Sequence, residues 1–267
     1  MVLQHEWGFP LSWLMMSQSG LSTARERAAT IGALLLVAGF AWVYTFYGAF
    51  NAAGFDGMQM PMRIEWSTSH ALSMFAMWWV MMTAMMLPSA SPTILLYAAL
   101  KKGNSIPTFN AGSTAAFTTG YLCIWAFFSF VAVGLQWLLQ EADLLSDSLS
   151  LTNPAGAAGL LVGAGLYQFS SVKKACLSQC RSPAAALQRI WRPGSGGAFM
   201  MGLHHGLYCL GCCWFLMLLL FFGGIMSPLW IAALAIYVAI EKLTPFGTIF
   251  GKAVGCALIL VGLAWAL

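Results

Sequence analysis

Seven apolar runs, separated by shorter segments that carry most of the charged residues, account for nearly all of the chain after residue 27. They cover residues 28–50, 70–87, 114–139, 154–169, 198–222, 228–240 and 247–267. An α-helix needs about 20 residues to cross a bilayer, so most of these runs are long enough, whereas the fourth and sixth are short. The pattern predicts an all-α fold, a polytopic transmembrane helix bundle of about seven spans.

The composition supports the same fold class. Of the 267 residues, 60% are hydrophobic and only 7% are charged, whereas roughly a quarter are charged in soluble domains. The net charge of +4 gives no reason to expect a nucleic-acid partner, because the basic residues lie between the apolar runs, where they set membrane orientation. The partner expected for this surface is the lipid bilayer.

The distribution of lysine and arginine predicts a cytoplasmic N-terminus. In that orientation the outer segments hold Arg63 alone, and the inner segments hold ten basic residues: Arg25, Arg27, Lys101, Lys102, Lys173, Lys174, Arg181, Arg189, Arg192 and Lys242. Residues 1–27 are then a cytoplasmic or interfacial segment. Residues 28–267 are expected to form a single transmembrane domain with an inner-side loop at 170–197.

The fifth apolar run holds two histidines and three cysteines within ten residues: His204, His205, Cys209, Cys212 and Cys213. On a helix, His205, Cys209 and Cys212 fall within about one quadrant. Cys213 lies slightly further round, and His204 lies on the other edge of this face. Thiols and imidazoles bind soft and borderline metals, although buried cysteine also serves as a small packing residue. Because packing does not require so many of these residues, the run predicts a metal or redox site.

A second cysteine pair, Cys176 and Cys180, lies in the inner-side loop. Residues 173–191 predict a short amphipathic helix interrupted at Pro183. Helical spacing separates the two Cβ atoms by about 5–6 Å, which disfavours a disulfide but suits two thiolates on one metal. Two unrelated surface cysteines explain the pair equally well. Since the loop directly precedes the fifth run, its thiols are expected near the inner end of that helix.

Methionine forms two further patterns. In the second run one helical stripe contains Met74, Met77, Met81 and Met85, with His70 at its beginning. In the outer segment before it, alternate positions of an extended chain are occupied by Met58, Met60 and Met62. Thioethers are soft, neutral ligands that suit Cu(I), and the outer triplet is analogous to the extracellular methionine motifs of copper importers. Methionine is also a flexible packing residue, an equally good explanation of the helical stripe.

The pair Glu241–Lys242 follows the sixth apolar run. Its position favours an ordinary interfacial ion pair at the membrane surface. The alternative is functional, because a carboxylate at this depth can orient a metal-ligating histidine by accepting its second ring N–H.

Three stretches of the sequence resemble a family of predicted metal-binding integral membrane proteins, long filed as a domain of unknown function (DUF2182). They are MMTAMMLPS at 81–89, the segment from KKAC to CRSP at 173–183, and GLYCLGCCW at 206–214. The resemblance spans about residues 70–245. It implies metal binding and a multi-pass location in a bacterial inner membrane, and it supplies no activity.

These patterns favour a membrane protein that handles copper(I) by binding, transport, or delivery to a membrane metalloenzyme or its subunits. The cysteine and histidine ligands also permit zinc. One alternative is a structural or assembly subunit of a membrane oxidoreductase complex that binds no metal of its own. Another is a thiol redox enzyme that uses Cys209-x-x-Cys212, although no thioredoxin-like strand pattern surrounds it. The sequence contains no P-loop and no His-Glu-x-x-His motif.

Overall fold

The computed structural model describes residues 28–48, 66–103, 111–146 and 149–267. The described residues form ten helices and no strand, which confirms the all-α prediction. The helices are α1 (Ala28–Gly48), α2 (Thr68–Gly103), α3 (Ala111–Glu141), α4 (Pro154–Tyr167), α5 (Ser171–Arg181), α6 (Pro183–Arg189), α7 (Gly194–Leu218), α8 (Leu220–Gly223), α9 (Pro228–Leu243) and α10 (Gly247–Ala266). The predicted segment 1–27 and the triplet Met58, Met60 and Met62 lie outside the described residues.

Five of the described helical segments are long and apolar enough to cross a membrane. They correspond to α1, α2, α3, α7 with α8, and α10. A sixth crossing results if α4 and α5, which meet at a bend of 61°, form one broken span. The sixth apolar run corresponds to α9, whose 16 residues fall short of the about 20 needed to cross. By length and composition, the described residues therefore provide helices for five or six crossings, and the cytoplasmic N-terminus stays a prediction.

Helix α7 lies at the centre of the bundle, against α3 on one side and α5 on another. The approach to α3 depends on two glycines. A Cβ atom at Gly202 would overlap the carbonyl oxygen of Phe117, and a Cβ atom at Gly120 would overlap that of Phe199. Small residues at such positions let helix backbones pack closely in a membrane. Close packing of this kind fixes the side chains that α7 directs into the core.

The inner-side loop folds as two short helices, α5 and α6. Helix α5 begins where the Ser170 side chain accepts a hydrogen bond from the backbone N–H of Lys173 at 3.1 Å, a common N-cap arrangement. Pro183 opens α6, so the predicted interruption at this proline is confirmed. Because α5 packs across α7, the loop brings polar side chains and thiols against the middle of the bundle.

Candidate metal centre

Three sulfur atoms surround the side-chain ammonium of Lys242. The Nζ atom lies 2.9 Å from Cys209 Sγ, 3.9 Å from Cys213 Sγ and 3.9 Å from Met86 Sδ. These sulfur atoms come from two helices, α2 and α7, and the lysine comes from a third, α9. We call Met86, Cys209 and Cys213 the sulfur cage. All four side chains are buried, and Lys242 is 6% exposed.

The phenol of Tyr121, on α3, ties the cage together. Its hydroxyl donates to the carbonyl oxygen of Met86 at 3.2 Å and also lies 3.2 Å from Cys209 Sγ. The same Met86 carbonyl accepts a hydrogen bond from Ser89 at 2.9 Å. The cage of α2 and α7 is therefore contacted by Tyr121 of α3 and by Lys242 of α9. Close packing of α3 against α7 fixes the position of Tyr121 beside Cys209.

The charge of Lys242 has no carboxylate partner among the described residues. The neighbouring Glu241 pairs instead with Lys173, with Nζ and Oε2 2.8 Å apart and both side chains 2% exposed. A buried ammonium is costly unless it is paired, so the sulfur atoms must supply its compensation. Cysteine binds metals as the thiolate.

The remaining thiol contacts lie within α7. Cys212 and Cys213 both donate to the carbonyl oxygen of Cys209, at 3.1 Å and 3.0 Å. Across the described residues, no three His, Cys, Asp or Glu side chains are grouped so that they could hold a metal ion. The predicted histidine–cysteine face is therefore not assembled as one ligand set. The sulfur atoms that do converge include a methionine and are gathered around a lysine.

The two predicted histidines contribute in different ways. His205 is buried and stacks on Tyr121 and Phe117, with ring centroids 5.6 Å and 6.1 Å apart. It therefore packs behind the phenol that touches the cage. His204 forms a 2.8 Å hydrogen bond through Nδ1 with the carbonyl oxygen of Met200, one turn earlier in its own helix. Neither ring makes a described hydrogen bond to a cage sulfur.

The cysteines of α5 reach α7, as expected from the sequence. A Cβ atom at Gly211 would lie 2.7 Å from Cys176 Sγ, so that thiol rests directly on the α7 backbone. Cys180, on the same helix as Cys176, lies near enough to Cys212 of α7 for the two thiols to interact electrostatically. All seven cysteines are free thiols. Thiols from the loop and thiols from the central helix thus form a continuous group.

A second sulfur-lined feature lies near the first residues of α2. It is a cavity of about 210 Å³, and we call it the methionine cavity. The polar residues Tyr44, Thr45 and Ser73 line it. Four methionines also line it: Met74, Met77, Met81 and Met226. Three members of the helical stripe predicted from the sequence, Met74, Met77 and Met81, thus line one surface. The last member of the stripe, Met85, is buried in the core and does not line the cavity.

Several residues of these two features were missed by sequence reasoning. Met86 lies off the methionine stripe of α2, and Met226 stands in the short connection before α9, so neither shares a helical face with the predicted ligands. The interpretation of Glu241–Lys242 as an interfacial pair is wrong, because both residues are buried, 1% and 6% exposed. The alternative role for Glu241 is not seen either, since its carboxylate pairs with Lys173 and not with a histidine. A signal was available: charges so close to an apolar run are rare unless they have partners inside the bundle.

The fold and these contacts define a class: an α-helical membrane protein with sulfur-containing side chains gathered inside its bundle. The chain belongs to the copper chaperone family PpoB2, whose sequence model matches residues 75–265. The match includes the whole sulfur cage and half of the residues that line the methionine cavity. Neither the curated proteins nor the solved structures contain a significant match. The family confirms the prediction of a copper-related membrane protein.

Proposed function

We propose that the chain is a membrane copper chaperone that carries copper as Cu(I) on the sulfur cage. The observation that supports this most strongly is the convergence of Met86, Cys209 and Cys213 on one buried cation, the Lys242 ammonium. The ammonium and Cu(I) are both monovalent cations, so the cage surrounds one positive charge in either case. Copper binding in this scheme requires the lysine to withdraw from the sulfur atoms.

The ligand set favours Cu(I) over zinc. Soft thiolate and thioether ligands select Cu(I), whereas zinc sites are built from Cys, His, Asp and Glu. The cage combines two cysteines with a methionine, and the methionine cavity offers thioethers with no carboxylate among the described residues that line it. The metal is cargo in this proposal, so it must be released as well as bound.

A path for the ion follows the order of sulfur atoms in the bundle. The methionine cavity receives Cu(I) near the predicted outer side, where Met58, Met60 and Met62 precede α2 in the sequence. Met81 lines the cavity and Met86 belongs to the cage, one and a half turns further along the same helix. From the cage, the ion passes to Cys212 and then to Cys180 and Cys176 on α5. Stepwise ligand exchange along this path avoids release of the aqueous ion.

The recipient in this proposal is a metalloenzyme, or one of its subunits, in the same bacterial inner membrane. Helix α5 is the exit because it is polar, is exposed along much of its length and carries two thiols. The chain itself acts as a carrier and not as an enzyme.

The test is elemental analysis of the purified full-length chain after anaerobic loading with Cu(I) under reducing conditions. In Cys209→Ser with Cys213→Ser, bound copper should fall to about a tenth of the wild-type level or less, since even outer-shell changes at metal sites cost tenfold or more. The matched control is Cys123→Ser with Cys256→Ser, two exposed thiols outside the cage. Equal copper content in the wild type and both double variants would contradict the proposal.

A second candidate, a structural or assembly subunit of a membrane oxidoreductase complex, is favoured by the contacts of Cys212 and Cys213. Their bonds to the Cys209 carbonyl are ordinary intrahelical hydrogen bonds that a packing residue also makes. This candidate predicts a stable co-purifying partner and no copper above the level of the cage variant. Copper bound in a cage-dependent manner would exclude it.

A further inference from the structure

A second cavity, at the opposite end of the bundle from the methionine cavity, is lined by an excess of positive charge. Its volume is about 270 Å³. It lies where α4 turns into α5 and where α9 is followed by α10. Four cationic side chains and one carboxylate line it: Lys173, Lys174, Arg181, Lys252 and Glu241. We call this feature the basic pocket.

The charges of the basic pocket are not balanced within the described protein. Lys173 is neutralised by its buried ion pair with Glu241. Arg181 donates to the carbonyl oxygens of Glu241 and Pro245 at 3.3 Å and 2.9 Å, which fixes its guanidinium without neutralising it. Lys174 and Lys252 have no carboxylate partner among the described residues. Three positive charges therefore face one cavity, and an anion is the ligand that would compensate them.

The polar lining narrows the chemistry of that anion. Ser182 and Thr248 place hydroxyl groups in the pocket wall, and lysine, arginine and hydroxyl donors together are the usual partners of phosphate oxygens. Gln168 also lines the pocket, and its Oε1 is buried without a hydrogen-bond partner in the described part of the chain. The Gln168 Oε1 atom can accept a hydrogen bond from a donor on the ligand, such as a hydroxyl or ammonium group beside the phosphate.

The position of the pocket suits a ligand that arrives at the membrane surface. Lys252 stands in the second turn of α10, an apolar helix with most of its surface exposed, where a long side chain can reach toward the polar interface. The volume of about 270 Å³ exceeds that of a single water in the liquid, about 30 Å³, roughly ninefold. Phosphate with an attached small alcohol fits within it.

We propose that the basic pocket binds a phosphate group, carried either by an anionic phospholipid headgroup or by a free phosphate ion. The site is separate from the sulfur cage and does not require copper. Basic pockets between membrane helices at the cytoplasmic side are suited to anionic headgroups, and the predicted orientation places this end of the bundle on that side.

The experiment follows thermal unfolding of the detergent-purified full chain, without copper, during titration with phosphatidylglycerol. Phosphatidylcholine with the same acyl chains, inorganic phosphate and sodium chloride of equal ionic strength are parallel titrants. Phosphatidylglycerol should stabilise the wild type at lower concentrations than phosphatidylcholine. In Lys174→Gln with Lys252→Gln, the apparent affinity should fall about thirtyfold, the loss expected for two surface lysines. Arg189→Gln removes an exposed cation of α6 that does not line the pocket, and should behave as the wild type.

The parallel titrations distinguish a lipid headgroup from a free phosphate ion as the source of the phosphate. Stabilisation by inorganic phosphate equal to that by the lipid, and lost in the lysine variant, identifies a free-phosphate site. Selective stabilisation by phosphatidylglycerol identifies a headgroup site. No stabilisation beyond that of sodium chloride, or an equal response in the lysine variant, overturns the proposal. Copper content measured on the same preparations should not differ between the variants, so this test and that of the chaperone function can fail independently.

Discussion

The sulfur cage and the methionine cavity both offer sulfur to a cation, but their surroundings differ. The cage is fully buried, contains two thiols and a thioether, and already surrounds the ammonium of Lys242. The methionine cavity is about 210 Å³ in volume, and all four of its sulfur atoms are neutral thioethers. Thiolates bind a cation more strongly than thioethers because they carry charge. The proposed function therefore assigns the holding of the ion to the cage and its entry to the cavity.

The two regions also differ in what keeps them in place. The α9 end of the cage is held by a buried polar connection, the Lys173–Glu241 ion pair at 2.8 Å. The methionine cavity is bounded mostly by apolar side chains of α2 and of residues 225–231, and α1 also contributes to its lining. Disruption of the polar connection should therefore affect the cage far more than the cavity.

The largest expected effect is on stability. In Lys173→Met, Glu241 is left as an uncompensated buried charge beside the cage, and the free energy of unfolding should fall by about 3–5 kcal/mol. Adding Glu241→Gln in the same chain should recover most of this loss, because a buried pair replaced as a whole costs little. Thermal or denaturant unfolding in detergent measures both. If the double variant were as unstable as the single one, the ion pair would not be what holds α9 to α5.

The next largest effect is on the rate at which Cu(I) enters through the methionine cavity. Replacing Met77, Met81 and Met226 by leucine keeps the cavity apolar and removes three thioethers. The rate of Cu(I) loading should fall about tenfold, which corresponds to about 1.4 kcal/mol, whereas the final copper content should match that of the wild type. Stopped-flow loading followed by elemental analysis separates the two quantities. Met200→Leu, at an exposed position of α7, is the control, and a lower final copper content in the triple variant would place the holding site in the cavity.

The smallest effect concerns the lysine. Lys242→Met removes the ammonium that competes for the cage sulfur atoms and adds another thioether of similar length. Release of copper to a soluble chelator should slow by about threefold, or about 0.7 kcal/mol. Lys252→Met, far from the cage sulfurs, should release copper at the wild-type rate. Faster release from Lys242→Met would mean that the ammonium supports the bound ion and does not compete with it.

The helices were predictable from the sequence because bilayer thickness and the cost of burying polar groups act on every apolar run directly. The cage was not predictable. Helical spacing orders the residues of one helix around its axis, as it did for Cys209 and Cys212, but carries no information about the neighbouring helix. Met86 and Lys242 are 156 positions apart in the sequence.

The fate of Glu241 and Lys242 illustrates the same limit. At the end of a short apolar run they have the position of an interfacial pair. In the fold, α5 packs over the end of α9, so that both side chains lie inside the protein. Only the tertiary arrangement places Lys173 beside Glu241 and the sulfur atoms beside Lys242, and these contacts compensate the two buried charges.

The most direct test of the central claim is X-ray absorption at the copper edge on the full-length chain loaded with copper. If the sulfur cage holds the copper, the spectrum should show Cu(I) whose first coordination shell contains only sulfur. This result is expected in the wild type and in Cys123→Ser with Cys256→Ser. In Cys209→Ser with Cys213→Ser, that sulfur shell should be lost. A first shell of nitrogen or oxygen in the wild type, or a sulfur shell that persists when both cage cysteines are replaced, would contradict the account.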